Sequence, residues 1–151
     1  MATQLNTTAV PDFQLEDHNG KIFDVREFVG KKILVIYFYP KDESAVCTKE
    51  ACAFRDSYSD YIDAGAMVIG INSGTVESHK AFALHHRLPF TLLSDPGNRV
   101  LKLFGIKNVL FLTGRETFVI DLKGNIAFRF RGFLNGNEHS QKALDFIRSA
   151  E

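Results

Sequence analysis

Hydrophobic and polar positions change period several times along the chain, and each change marks an element. Phe13 and Leu15 alternate with Gln14, Asp17-His18-Asn19-Gly20 supplies turn chemistry, and Ile22-Phe23 resumes. This predicts an N-terminal β-hairpin. Residues 33–39 are apolar without alternation and stop at Pro40. Such a run fits a strand covered on both faces, as in the centre of a parallel sheet. Over 44–64 the period lengthens. Cys47, Ala51, Phe54, Tyr58 and Tyr61 recur at helical steps and Gly65 follows, so one helix is expected. Residues 67–71 then read as a strand. The segment 76–86 reads as a helix, with Val76, Lys80/Ala83 and Leu84 about a turn apart. A short strand over 91–93 precedes the turn Ser94-Asp95-Pro96-Gly97, and 99–104 is a short helix closed by Gly105. A second hairpin joins 117–121 to 126–130. A last helix over 139–150 carries Ala143, Phe146, Ile147 and Ala150 on one face.

Alternating strands and helices predict an α/β fold with a central sheet flanked by helices, to which the closing hairpin adds antiparallel strands. The expected sheet is therefore mixed. The order is compatible with a thioredoxin-like plan and leaves flavodoxin-like plans open. A length of 151 residues suits one domain over 1–151, and 45% hydrophobic residues with 14 Phe suffice for its core. The 18 basic and 18 acidic residues cancel. A nucleic-acid partner is not expected, because such binders carry a basic surplus. No apolar run is long enough to span a bilayer, so no membrane partner is expected. The first eight residues lack the basic start and apolar run of a signal peptide, which leads to the expectation of a soluble, cytoplasmic protein.

Two cysteines, Cys47 and Cys52, are too few for a disulfide scaffold. Their setting is more informative than their number. A buried strand ends at Pro40, a short loop follows, and Ser44 is a plausible N-cap for a helix whose first turn holds Cys47. Unpaired backbone N–H groups and the positive end of the helix dipole point at that turn and favour a thiolate there. Cys47 also falls on the apolar face, where a cysteine packs as a small hydrophobe. Position alone leaves the two readings evenly balanced. Cys52 shares its side of the helix with Thr48, Arg55, Asp56 and Ser59, which suits a redox partner better than a packing role. Five helical residues place the Cα atoms roughly 8–9 Å apart. A disulfide needs them within about 7 Å. The two can bond only if the first turns unwind, a kind of opening that helix ends allow at low energy.

Other chemistry is thinly supported. Five scattered histidines and two cysteines show no ligand spacing, so no metal and no cofactor is expected. Cys-x-x-Cys, phosphate-binding and nucleophile-elbow motifs are absent. His85-His86 reads as a solvated pair at a helix end, and His79 as a hydrogen-bonded structural histidine.

Pro40-x-x-x-Ser44-x-x-Cys47 resembles the peroxiredoxin active-site pattern. The run from Tyr37 to Asp42, with Cys47-Thr48-Lys49-Glu50-Ala51-Cys52-Ala53-Phe54-Arg55-Asp56, is similar to the peroxiredoxin Q subfamily, also called the bacterioferritin comigratory proteins. Glu77-Ser78-His79-Lys80, Leu88-Pro89-Phe90, Leu93-Ser94-Asp95 and Gly114-Arg115-x-Thr117-Phe118-Val119-Ile120-Asp121 extend the likeness over nearly the whole chain. The resemblance implies a thioredoxin-like fold and a thiol-dependent peroxidase acting on hydrogen peroxide or alkyl hydroperoxides. It implies that Cys47 attacks the peroxide and becomes a sulfenic acid. Arg115 would stabilise the thiolate and polarise the peroxide, and Ser44 would hydrogen-bond at the sulfur. Pro40 would shield it, and Glu50 would hold Arg115. Cys52 would resolve the sulfenic acid as an intramolecular disulfide, reduced in turn by thioredoxin or a similar donor. A monomer is favoured.

Three departures stand out. Ala45-Val46 replaces the subfamily's common Pro-Gly, Ser44 replaces the commoner Thr, and 106–114 resembles the shorter plastid-type version of that region. Two alternatives are a protein disulfide reductase, separable by insulin reduction, and a non-catalytic redox sensor, oxidised by peroxide but poorly recycled.

Overall fold

The computed structural model describes residues 8–106, 115–132 and 136–150. In order, the elements are β1 (Thr8–Ala9), β2 (Gln14–Asp17), β3 (Ile22–Asp24), β4 (Ile33–Phe38), α1 (Ala45–Asp56), α2 (Tyr58–Asp63), β5 (Ala66–Asn72), α3 (Val76–His86), β6 (Thr91–Ser94), α4 (Arg99–Leu103), β7 (Glu116–Ile120), β8 (Asn125–Arg131) and α5 (Gly136–Ser149). The strands form one sheet in the order β1-β8-β7-β4-β5-β6-β2-β3. Strand β4 pairs in parallel with β5 and antiparallel with β7. The sheet is mixed, and β4 has a parallel neighbour on one side only.

The unbroken apolar run of β4 has a direct cause. Val35, Tyr37 and Tyr39 enter a core shared with Cys47, Ala51 and Phe54 of α1, Tyr61 of α2, Phe82 of α3 and Ile147 of α5. Leu34, Ile36 and Phe38 enter the opposite core, with Phe13, Phe23, Val25, Val100 and Phe104. Burying each such side chain stabilises the fold by roughly 1.5–3 kcal/mol. Phe54 stacks on Tyr37 with ring centroids 4.5 Å apart, which fixes α1 against the sheet. Gly70 on β5 makes room for this packing. A Cβ there would lie 2.8 Å from the Tyr37 ring and 2.9 Å from Leu92.

The N-terminal hairpin forms with Leu15 opposite Phe23, and β2 also pairs with β6, so the hairpin completes one edge of the sheet. Three features differ from the sequence reading. The helix expected over 44–64 is two helices, because Ser57 (φ −98°, ψ 8°) leaves helical geometry and its N–H bonds back to Ala53 and Arg55. Tyr58 and Tyr61 keep the apolar period across this break, which hides it in sequence. Strand β1 was not foreseen. Its two residues are exposed and join the sheet by pairing with Asn125 and Ile126. In α3 the inward face is His79, Phe82 and Ala83, whereas Leu84 is 72% exposed. A buried histidine on that face disguises the apolar stripe.

Among the described residues no helix is long and apolar enough to cross a membrane. The 106–114 likeness lies, from residue 107 on, outside the described residues.

Candidate active site

The site forms where the carboxyl end of β4 meets the amino end of β7. Pro40, half-buried, opens the loop after β4. Ser44 is the N-cap of α1: its extended backbone (φ −71°, ψ 153°) turns the chain, and its Oγ accepts from the Cys47 N–H at 3.4 Å. The same hydroxyl donates to the Lys41 carbonyl at 3.3 Å, so its hydrogen bonds run to the backbone. Cys47 lies in the first turn of α1 and is buried. The antiparallel register sets Phe38 opposite Glu116, which brings Arg115 beside the loop. Arg115 Nη2 donates to Cys47 Sγ at 3.2 Å, and Nη1 donates to Glu50 Oε1 at 2.8 Å. Sulfur, guanidinium and carboxyl are all buried. Arg115 thus bridges Cys47 and Glu50, whereas Ser44, expected to hydrogen-bond at the sulfur, bonds to the backbone N–H of Cys47 and the Lys41 carbonyl because it serves as the helix N-cap.

Glu50 is only half satisfied. Its Oε2 is buried and has no hydrogen-bond partner. Burial pushes its pKa up to about 8, although the charge and hydrogen bond of Arg115 work against the rise. His139 of α5 approaches from behind, with Nδ1 3.4 Å from Glu50 Oε2. That ring is bonded on both sides: Nε2 lies 2.9 Å from the Gly132 carbonyl and Nδ1 lies 2.6 Å from Thr117 Oγ1. Burial pulls the His139 pKa down to about 4; the Gly132 carbonyl opposes the fall and the Arg115 charge adds to it. Burial thus favours the neutral imidazole over an ion pair with Glu50. His139 and Thr117 were missed in sequence. They reach the site only through the docking of α5 on β7, which no local pattern signals.

The loop before Cys47 is anchored by Asp42, also missed as a site residue. Its carboxylate accepts from Tyr39 Oη at 2.7 Å and Ser78 Oγ at 2.7 Å, and lies 2.6 Å from His79 Nδ1. Burial raises its pKa, but the hydrogen bonds from His79, Tyr39 and Ser78 outweigh burial and hold it below the ordinary value. His79 Nε2 lies 3.1 Å from the Leu93 carbonyl, so His79 is the hydrogen-bonded structural histidine expected. Glu43, in the left-handed region at φ 63°, meets both residues of the pair at the end of α3. Its two oxygens lie 2.8 Å from His85 Nδ1 and 2.8 Å from His86 Nε2. These histidines are clamped to the loop rather than simply solvated. Glu43, His85 and His86 could offer metal donors within 4.8 Å of one another, a grouping invisible to local spacing.

Cys52 is half-buried and, like Cys47, a free thiol. Both lie within the unbroken α1, so the helical separation that forbids a disulfide applies to this state. Ala45 and Val46 form the start of that helix. A cleft lined by Thr8, Pro11, Leu103, Phe104, Ile126 and Phe128 touches none of these side chains.

The sequence profile of the AhpC/TSA family matches residues 7–129. "Peroxiredoxin Q, chloroplastic" of Triticum aestivum is 48% identical over 141 residues, covering 92% of this chain and 64% of its own length. The chain therefore spans somewhat less than two thirds of that relative. Among solved structures, the peroxidoxin BcpB of Mycobacterium tuberculosis superposes with a TM-score of 0.90 at 31% identity, covering 96% of this chain and 97% of its own. A bacterioferritin comigratory protein of Xanthomonas campestris, solved for its alkyl peroxide reduction activity, gives 0.84 at 26% identity, covering 91% of each chain. These structures carry the thioredoxin-like peroxiredoxin fold, in agreement with the sequence expectation. The cytoplasmic expectation is corrected. The expectation drew on the N-terminal residues, the absence of a bilayer-length apolar run and the low cysteine count, whereas the curated relatives are named chloroplastic and do not support it.

Proposed function

The chain belongs to the AhpC/TSA family, in its peroxiredoxin Q branch, and we propose that it is a thiol-dependent peroxidase working as a single domain over 1–151. The observation that carries this reading is a buried sulfur at a helix N-terminus with a guanidinium 3.2 Å away. A fixed cation favours the reactive thiolate, and the same donors meet the negative charge that develops on the peroxide. In the proposed cycle the Cys47 thiolate attacks one peroxide oxygen. An S–O bond forms, the O–O bond breaks, and the leaving alkoxide or hydroxide takes up a proton. The sulfur is oxidised by two electrons to sulfenic acid.

Glu50 keeps Arg115 aimed, Ser44 caps the turn that presents the sulfur, and Pro40 screens it from bulk water. The Cys52 thiol then attacks the Cys47 sulfenic acid, water leaves, and an intramolecular disulfide forms after the first turns of α1 unwind. Thioredoxin or a similar dithiol reduces it. Both cysteines lie on one helix, so the cycle needs no second copy, and a monomer suffices. Hydrogen peroxide and alkyl hydroperoxides are the proposed substrates. The alkyl peroxide reduction of the Xanthomonas relative supports the second class.

The test is peroxide consumption coupled to thioredoxin for wild type, Cys47→Ser and Cys52→Ser. Cys47→Ser should be inactive. Cys52→Ser should consume one equivalent and stall. Equal rates in all three would overturn the proposal.

A further inference from the structure

Behind the Cys47–Arg115 pair the donors and acceptors leave a proton to be placed. The Gly132 carbonyl can only accept, so Nε2 of His139 carries a hydrogen. A neutral ring then presents a lone pair at Nδ1, towards which the Thr117 hydroxyl donates. Glu50 Oε2 faces that same lone pair at 3.4 Å with no hydrogen bond of its own. Two acceptors facing each other in a dry interior are costly, more so if one is anionic. Around them stand Arg115, the Cys47 sulfur, and the buried Tyr37 hydroxyl, whose ionisation burial and then Glu50 push well up. With Cys47 as thiolate, an ionised Glu50 would leave two anions and one cation buried together.

We propose that Glu50 and His139 hold one proton between them in the reduced protein, and that the cluster releases it when Cys47 is oxidised. His139 is in this sense a positioning residue, acting on the sulfur through Glu50 and Arg115. The release rests on the peroxidase reading above; the resting proton does not. The charges balance. Before reaction the cluster holds a thiolate, a guanidinium and a carboxylic acid. After it, the cluster holds a neutral sulfenic acid, the same guanidinium and a carboxylate. Arg115 exchanges one anionic partner for another, and the proton given up matches the one the leaving oxygen consumes. Burial of Glu50, which pushes its pKa to about 8, agrees with this.

Two measurements test it. The infrared spectrum of the reduced protein at neutral pH should show the carbonyl stretch of a buried carboxylic acid, lost in Glu50→Gln. In His139→Leu the band should remain but shift, because Oε2 keeps the proton and loses the acceptor. A His139 of merely structural importance would not move it. In weakly buffered solution with a pH indicator, the Cys52→Ser protein should take up one proton fewer per sulfur oxidised than Cys52→Ser/Glu50→Gln. If Glu50→Gln does not fold, Cys52→Ser/His139→Leu still reports the band before and after peroxide; the band should vanish on oxidation. A missing band in the reduced protein, or equal proton counts, overturns the proposal. A band present in a protein that peroxide does not oxidise overturns the peroxidase reading and the release, and leaves the resting proton supported.

Discussion

Asp42 and Glu50 are both buried carboxyls, one on each side of Cys47 in sequence, and their surroundings differ in kind. Asp42 is met by Tyr39, Ser78 and His79 and is held below the ordinary carboxylate range. Glu50 has one firm partner and one unpartnered oxygen, and is pushed up to about 8. Burial acts upward on both, more completely on Glu50, and only at Asp42 do the hydrogen bonds to the charged form outweigh it. The satisfied carboxylate is an anchor. The half-satisfied one shares the Arg115 guanidinium with the Cys47 sulfur.

Removing the anchor should have the largest effect. Asp42→Ala leaves the Tyr39 hydroxyl, Ser78 and His79 without their acceptor and should cost roughly 3 kcal/mol in urea unfolding. A loss below about 1 kcal/mol would show that these groups find new partners.

The pH dependence should separate the two next. The folded pKa of Asp42 lies below its unfolded value, so its contribution is present above the ordinary carboxylate range and fades as pH falls through the folded value. For Glu50 the sign is reversed. Its contribution is complete below the ordinary value of 4.5 and is lost as pH rises through about 8. Unfolding midpoints of Asp42→Asn and Glu50→Gln, each against wild type, should therefore change in opposite directions with pH. Parallel curves would erase the distinction.

The smallest effect belongs to Glu43→Gln. Glu43 and His85 are exposed and only His86 is half-buried, so global stability should change by less than about 0.5 kcal/mol. Amide exchange in the first turn of α1 should nonetheless quicken, because the loop loses its hold on the end of α3. Unchanged exchange would make Asp42 the sole tether there.

What sequence reveals follows the reach of each interaction. The strand at 33–38, the Ser44 cap and Cys47 in the first helical turn rest on neighbours in the chain and are readable there. Cys52 on the less buried side of α1 is likewise a matter of helical period. Arg115 meets Cys47 because β4 and β7 run antiparallel with Phe38 opposite Glu116. Register is a property of two distant strands, so only the family pattern announced this contact. His139 needs a third element, α5, and carried no signal. Leu84 and Ser57 show the opposite failure, where apolar period alone suggested a buried side chain and a continuous helix.

The anchoring of Asp42 also sets a clock. Any opening that lets Cys47 reach Cys52 is confined between Asp42, tied to α3, and Phe54, stacked on Tyr37. The freed chain is a short polymer pinned at both ends, so it gains little entropy and cannot wander far. Helix–coil relaxation of a short segment takes roughly 0.1–1 μs. Rewinding of α1 after reduction should then keep pace with any thiol exchange, leaving bond making at sulfur to set the tempo.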